Sequence, residues 1–146
     1  MSKRLLRSAR NDNRSSLLRI LDANFNRAKE GLRVCEDISR YVWNDKTLTR
    51  AFKDVRHGLT DAVLVLNILK VVEARDVGAD IGRPTTASEA RRRDLNAVFF
   101  SNAQRVKESL RVLEEVIKLI RPQTAEAVKG LRYKVYVLEQ KAISRR

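Results

Sequence analysis

Apolar residues recur at helical spacing along most of the chain, and the first such stretch predicts a helix from about residue 15 to Trp43. Ser15 or Ser16 is suited to cap its N-terminus, because a serine side chain accepts a hydrogen bond from the first turn. The apolar stripe has spacings of three, four and seven residues, which is typical of a face packed in a core. Its members are Leu21, Phe25, Ala28, Leu32, Cys35 and Val42.

The same pattern predicts a second helix after a break at Asn44-Asp45. Thr47 or Thr49 opens this helix, and its apolar run continues to about Val72. Residues 75–84 follow, and their two glycines and one proline predict an ordered loop.

Two further helices are predicted after this loop. Thr86-Ala87-Ser88-Glu89 matches a capping box, so the third helix begins there and runs to about Ile120. Pro122 closes it, and a fourth helix fills about residues 124–144. Four helices with two short turns and one longer crossover loop predict an all-α, antiparallel four-helix bundle.

The polar residues of the chain repeat, which indicates an internal duplication. Residues 24–37 and 102–115 are related by a shift of 78, and nine of the fourteen positions keep the residue or exchange Asp for Glu. The matching pairs are Asn24/Asn102, Arg27/Arg105, Lys29/Lys107, Glu30/Glu108, Leu32/Leu110, Arg33/Arg111, Val34/Val112, Glu36/Glu114 and Asp37/Glu115. Seven of the nine are polar or charged, whereas packing alone would preserve the apolar spacing.

A second block repeats at a shift of 76, so each copy contains two related segments. Its pairs are Ala51/Ala127, Lys53/Lys129, Val55/Leu131, Arg56/Arg132 and His57/Tyr133. The bundle is therefore predicted to consist of two duplicated helical hairpins, at about residues 15–72 and 87–144, with pseudo-twofold symmetry.

The composition predicts a single basic domain. The 146 residues carry a net charge of +13, which attracts polyanions or small phosphorylated ligands. Residues 1–14 are strongly basic and are predicted to form a flexible arm before a domain at 15–146. The longest apolar run, Ala62 to Leu66, is too short to cross a bilayer, so we expect a cytoplasmic protein. Cys35 is the only cysteine, and we expect it to be a core residue.

The duplicated charges allow three interpretations. They could form a solvated face with Arg–Glu pairs worth about 0.2–0.5 kcal/mol each, buried ion pairs between helices or subunits, or the lining of a site. The crossover adds Arg75, Asp76, Asp80 and Arg83. Carboxylates suit Mg²⁺ and guanidiniums suit phosphate. For His57, packing and catalysis stay equally open.

Four stretches together resemble a small family, the monofunctional hydroxymethylpyrimidine phosphate kinases of thiamine biosynthesis. They are DANFNRAKEGLRVCEDISRYV from Asp22, KDVRH from Lys53, ARDVGADIG from Ala74 and SNAQRVKESLRVLEE from Ser101. The resemblance covers about residues 18–138, and Gly78 and Ser101 depart from it. Family members occur alone or fused to thiamine-phosphate synthase. The absence of a following barrel predicts the standalone form.

The resemblance implies that ATP phosphorylates hydroxymethylpyrimidine monophosphate to the diphosphate with Mg²⁺, and that free hydroxymethylpyrimidine is not accepted. It implies roles for three groups of residues. The phosphates are assigned to Arg27, Arg33, Arg75 and Arg105, with Arg56 and Arg111 as second candidates. Mg²⁺ is assigned to Asp76 and Asp80, with Glu30 or Glu108 as further ligands. The pyrimidine is assigned to Asn24 or Asn102, and His57 is a further substrate-binding candidate.

Two other functions remain open at this point. The charge alone also fits a helical bundle that binds nucleic acid, although the duplicated glutamates would repel a phosphate backbone. A catalytically silent partner of thiamine enzymes would bind the pyrimidine phosphate without consuming ATP. The sequence leaves self-association and an association with thiamine-phosphate synthase undecided.

Overall fold

A computed structural model of the chain describes residues 3–87 and 89–145. Within these residues the secondary structure is helical and contains no strand, so the all-α prediction is confirmed. The elements are α1 (Lys3–Asp37), a π-helix (Ile38–Val42), α2 (Lys46–Leu64), α3 (Ile68–Glu73), α4 (Leu95–Ile117) and α5 (Pro122–Ile143). In this part of the chain, no helix has both the length and the apolarity needed to cross a membrane.

The two helices of each repeat pack antiparallel. This is seen in their contacts, since residues farther along the first helix contact residues nearer the start of the second. In the first repeat, Lys29 of α1 contacts Thr60 of α2, and Glu36 contacts Arg56. The corresponding contacts of α4 and α5 are Lys107–Glu139 and Glu114–Arg132. The predicted hairpins are thus present.

The two repeats meet through α1 and α4, which also run antiparallel. Gly31 lies against Asn102 and Val106, and the Cys35 thiol points at the carbonyl oxygen of Phe99, 3.7 Å from Sγ. A Cβ on Gly31 would lie 2.6 Å from Val106 Cγ2 and 3.1 Å from the Asn102 carbonyl oxygen. The missing side chain therefore permits the close approach of the two central helices.

The first helix begins earlier than predicted. It extends back to Lys3, so the N-cap at Ser15 or Ser16 is wrong. Residues 3–14, predicted as an arm, lie in this helix, while the flexibility of the arm stays a prediction. Serines at these positions are compatible with a helix interior, since the helix propensity of serine is only slightly below average.

The core stripe of α1 is confirmed up to Cys35, and the π-helix then changes its register. A π-turn contains an extra residue per turn, so the side chains after Asp37 rotate relative to an α-helix. Ile38 and Ser39 are buried, whereas Val42 is 43% exposed and its assignment to the core is wrong. Trp43 instead packs against Phe99, with ring centroids 4.7 Å apart.

The second helix is capped by a residue that the sequence analysis treated as part of the break. The Asp45 carboxylate accepts a hydrogen bond from the Leu48 N–H at 2.9 Å, so the N-cap at Thr47 or Thr49 is wrong. The helix also ends sooner than predicted. Asn67 has a positive φ of 58°, and it separates α2 from the short α3.

The loop at residues 75–84 is confirmed, but the third helix does not begin at the predicted capping box. The Thr86 N–H does donate to Glu89 Oε2 at 3.1 Å, as in a capping box, yet α4 begins only after Asp94. The intervening side chains are exposed and include Arg91, Arg92 and Arg93. A short helical turn without an apolar face has only marginal stability in water, because no packing supports it. The helix therefore does not extend back to the capping box.

The close contact at Gly31 predicts opposite effects of two glycine-to-alanine changes. Gly31→Ala should lower the free energy of unfolding by on the order of 1–3 kcal/mol, because the added methyl overpacks the interface between α1 and α4. Gly130 in α5 has no heavy atom within 4 Å of an added Cβ. Gly130→Ala should therefore raise stability by about 0.5–1 kcal/mol. Urea unfolding of both variants tests this, and a stabilising Gly31→Ala would contradict the packing.

The buried Cys35 predicts an unreactive thiol. Its side chain is inaccessible to solvent, and burial, followed by the charge of Glu139, raises the pKa of the thiol to about 12. At pH 8 the folded protein should react with Ellman's reagent only as fast as it unfolds, since the thiolate is the reactive form. Guanidinium-denatured protein provides the positive control. Rapid labelling of the folded chain would show that Cys35 is accessible.

Candidate active site

A cleft of about 750 Å³ lies between α1 and the loop that follows α3. It brings together six of the residues predicted from the sequence to form the site. They are Asn24, Arg27, Glu30, Arg75, Asp76 and Asp80. The remaining lining residues are Ser16, Arg19, Ile20, Asp22, Ala23, Asn26 and Val77. Residues some fifty positions apart in the chain therefore share one concave surface.

A bidentate ion pair attaches the crossover loop to α1. Arg75 Nε lies 2.7 Å from Asp22 Oδ2, and a terminal nitrogen of Arg75 lies 2.7 Å from Asp22 Oδ1. Asp22 is buried, and it also accepts a 3.1 Å hydrogen bond from the amide of Asn26. The hydrogen bond and the charge of Asp22 raise the pKa of Arg75. Such paired bonds fix the plane of a guanidinium as well as its position.

Asp22 is a central residue of this cleft that the sequence analysis did not select. Its counterpart at the shift of 78 is Phe100, so the repeat itself does not mark it. A signal was present, however. Asp22 is a polar residue directly beside the core residue Leu21, and it differs in kind from its partner in the other copy.

The two carboxylates of the crossover loop each use one oxygen to hold the loop. Asp76 Oδ1 accepts the N–H of Ala79 at 3.1 Å, and Asp80 Oδ1 accepts the N–H of Gly82 at 2.9 Å. Both residues are exposed and line the cleft. Their second oxygens accept no hydrogen bond from the residues that the structure describes.

These carboxylates would suit a magnesium ion that also binds the phosphates of a ligand. Across residues 3–87 and 89–145, no group of three or more His, Cys, Asp or Glu side chains is arranged to hold a metal. Mg²⁺ bound to substrate phosphates needs only one or two protein carboxylates, because phosphates and waters complete its octahedron. The donor set therefore suits nucleotide-bound Mg²⁺ better than a dedicated metal site.

The duplicated asparagines make the same hydrogen bond in both copies. The amide of Asn24 donates to the Ile20 carbonyl at 3.0 Å, and that of Asn102 donates to the Val98 carbonyl at 2.8 Å. In this orientation the side-chain oxygen and the second N–H of the amide are left for other partners. Only Asn24 lines the cleft.

The duplicated glutamates at 36 and 114 form buried ion pairs between the helices of each hairpin. Glu36 Oε2 lies 2.8 Å from Arg56 Nε, and Glu114 Oε2 lies 3.0 Å from Arg132 Nε. Their side chains are at most 12% exposed. For these positions the structure supports one of the three interpretations, the buried inter-helix pair.

The other predicted site residues lie outside the cleft. Arg33 is 3.8 Å from Glu36, Arg105 is 3.9 Å from Glu89, and His57 is exposed. Glu108 and Arg111 line a second hollow of about 440 Å³ on α4 and α5. Within it, Gln104 donates to Glu108 at 3.0 Å, and Arg111 pairs with Glu114 and Glu115 at 3.1 and 3.0 Å. Their assigned roles in phosphate or metal binding stay predictions.

Comparison with known proteins matches residues 19–141 to the ThiD2 family. The chain is 40% identical over 122 residues to a thiamine-phosphate synthase of Rhodopirellula baltica, covering 83% of this chain and 32% of that protein. It is 43% identical over 127 residues to a thiamine-phosphate synthase of Thermosynechococcus vestitus, covering 85% and 34%. The protein of the same name from Synechocystis sp. is 43% identical over 126 residues, covering 86% and 36%.

The chain spans about a third of the length of these curated relatives. No solved structure gives a significant match. The stretch matched to the ThiD2 family includes most of both repeats, the crossover loop and every residue of the cleft except Ser16.

The buried ion pairs predict that a charge lost from a hairpin is costly. Glu114→Gln should lower the free energy of unfolding by about 3 kcal/mol, because it leaves the Arg132 guanidinium without a full counter-charge. Glu115→Gln is the matched control, since Glu115 is exposed. The Tm of this variant should stay within error of wild type. The double variant Glu114→Gln/Arg132→Met should recover part of the loss. Equal stability of both single variants would contradict the structural role.

Proposed function

The chain belongs to the ThiD2 family, and from this premise we propose that it transfers the γ-phosphate of ATP to hydroxymethylpyrimidine monophosphate in thiamine biosynthesis. The names of the relatives, thiamine-phosphate synthase, support the pathway. The observation that carries the reaction is the composition of the cleft. It combines three arginines, four carboxylates and two asparagine amides on one surface.

Phosphoryl transfer between two phosphates requires positioning and neutralisation of charge more than acid–base chemistry. The attacking oxygen belongs to the monophosphate and is already anionic, so no strong general base is needed. The cleft is lined by no histidine or cysteine among the described residues, which is consistent with such a reaction.

The arginines are proposed to bind the phosphates. Arg27 is exposed on α1 and faces the cleft. Arg75 is held by Asp22 through two nitrogens, and its third guanidinium nitrogen remains for a ligand. Asp22 thus acts as a positioning residue, because it orients the Arg75 guanidinium before substrate arrives.

The carboxylates are proposed to select a phosphate that carries a divalent cation. The seven charged residues of the cleft sum to −1, although the whole chain carries +13. Asp76 and Asp80 would hold Mg²⁺ together with the nucleotide phosphates, and Glu30 is a further candidate. When bound, the ion neutralises charge on the phosphates as the reaction proceeds.

Asn24 is proposed to recognise the pyrimidine. Its amide nitrogen is already bonded to the Ile20 carbonyl, so the free side-chain oxygen can accept a hydrogen bond from the exocyclic amine of an aminopyrimidine. Because Asn24 is only 7% exposed, this contact would occur at the floor of the cleft.

Purified protein with ATP and Mg²⁺ should convert hydroxymethylpyrimidine monophosphate to the diphosphate and leave free hydroxymethylpyrimidine unchanged. Asp76→Asn and Arg27→Ala should each lower kcat/KM by about 10²-fold or more, because the first weakens binding of the Mg²⁺ that would neutralise the phosphates and the second removes a cation that would bind them. Diphosphate formation followed by anion-exchange chromatography measures both results.

A surface variant and a comparison between the two repeats provide the controls. Glu126→Gln changes an exposed carboxylate on α5 and should leave turnover unchanged. A site confined to the first repeat also predicts a larger loss in Arg27→Ala than in its counterpart Arg105→Ala. Folded wild-type protein that turns over neither substrate would refute the proposed reaction. Steeply salt-dependent binding of nucleic acid would then support the alternative function.

A further inference from the structure

The duplication leaves one lysine with different partners in the two repeats. In the second repeat, Lys107 Nζ lies 2.6 Å from Glu139 Oε2, and both side chains are largely buried. In the first repeat, the equivalent Lys29 donates to the hydroxyl of Thr60. The position of Glu139 is occupied by Val63 at the shift of 76. The first repeat therefore lacks the carboxylate that neutralises this lysine in the second.

The surroundings of Lys29 favour an anion. Partial burial, followed by the charges of Arg56 and Arg33, lowers the pKa of Lys29, and only Asp61 opposes them. No carboxylate of the described residues lies within 4.0 Å of its Nζ. An ammonium group has three donors, of which Thr60 accepts one. A cation close to other cations gains most from an anionic ligand.

The position of Lys29 borders the candidate active site. Asn26 lines the cleft, and it precedes Lys29 by one helical turn. Side chains three residues apart on a helix have Cβ atoms about 5–6 Å apart. Glu30, the next residue along, also lines the cleft. A phosphate at Lys29 would thus be within the reach of a ligand whose other end occupies the cleft.

In the second repeat the equivalent lysine lines the hollow on α4 and α5 and already has a counter-charge. Tyr136 replaces Thr60, and its ring lies 5.2 Å from Lys107 Nζ. Its hydroxyl accepts a 3.4 Å hydrogen bond from Arg132. Glu139 supplies the negative charge. The Glu139 carboxylate therefore neutralises Lys107, whereas Lys29 has the Thr60 hydroxyl and the Phe25 ring, 5.7 Å from its Nζ, and no paired carboxylate.

We propose that Lys29, Thr60 and Arg33 form a phosphate subsite at the edge of the cleft, present in the first repeat only. The inference deepens the proposed function, on which its physiological ligand depends. The phosphate belongs either to the nucleotide or to the pyrimidine monophosphate, and both present the same anionic oxygens to the lysine.

Binding experiments on the full chain test the subsite without reference to turnover. Tripolyphosphate represents the nucleotide phosphates, and hydroxymethylpyrimidine monophosphate represents the other source. Isothermal titration calorimetry of Lys29→Met should show a loss of about tenfold or more in affinity for one of the two probes. The probe that is affected identifies which substrate places its phosphate there.

Two further variants separate the subsite from general electrostatics and from misfolding. Lys107→Met removes the same charge from the second repeat and should bind both probes like wild type while lowering Tm. Thr60→Glu supplies Lys29 with a carboxylate like that of Lys107. It should abolish the affected binding without lowering Tm, which a generally damaged protein would not do.

Wild-type affinity of both probes for folded Lys29→Met and Thr60→Glu would overturn the subsite. So would equal losses in Lys29→Met and Lys107→Met, or a wild-type protein that binds neither probe. If binding depends on Lys29 but no diphosphate is formed, the subsite stands and the kinase reaction alone is refuted.

Discussion

The architecture depends on one interaction that occurs twice, a buried glutamate held by an arginine of the neighbouring helix. A carboxylate removed from water is stable only with a well-placed counter-charge. Glu36 and Arg56 meet that condition in the first hairpin, as Glu114 and Arg132 do in the second. Only one antiparallel register brings each pair together, so the pair fixes how the two helices of a hairpin face each other. This explains why both copies keep charged residues that packing alone would not require.

Because these ion pairs fix the packing of each hairpin, the two repeats can differ at positions that take no part in the pairs. Asp22 stands at the position of Phe100, and it binds Arg75 of a crossover loop that the chain contains only once. The second repeat has no carboxylate at that position and no crossover loop for it to bind. The cleft is therefore a property of the first repeat and the crossover loop, and it has no equivalent built around Phe100.

The sequence predicted what depends on periodicity and repetition, and it missed what depends on competition between local signals. The core stripe and the hairpins followed from spacing. Of the predicted site residues that line the cleft, Asn24, Arg27 and Glu30 came from the repeat, and Arg75, Asp76 and Asp80 came from the charges of the crossover loop. The helix starts did not, because several residues near each start can accept an N-terminal hydrogen bond and tertiary packing decides among them. Asp45 and Asp94 are the caps that packing selected. Val42 was misplaced because the π-turn has no recognisable sequence pattern. Asp22 was missed because Phe100 occupies its place in the second repeat, so the duplication does not mark it.

The charge distribution gives the proposed chemistry its selectivity. A net charge of +13 attracts any anion, but fields from exposed charges are screened beyond about 8 Å at physiological salt, so they set encounter rates more than preference. At contact distance the cleft carries a net −1, so its arginines attract a phosphate while its carboxylates oppose one that carries no cation. In the proposed reaction, the divalent cation of the nucleotide would meet the carboxylates while the phosphates meet the arginines. A nucleic-acid backbone carries mobile monovalent counter-ions and offers no such fixed pairing. The proposed selectivity for metal-bound phosphates is therefore compatible with a chain that attracts polyanions generally.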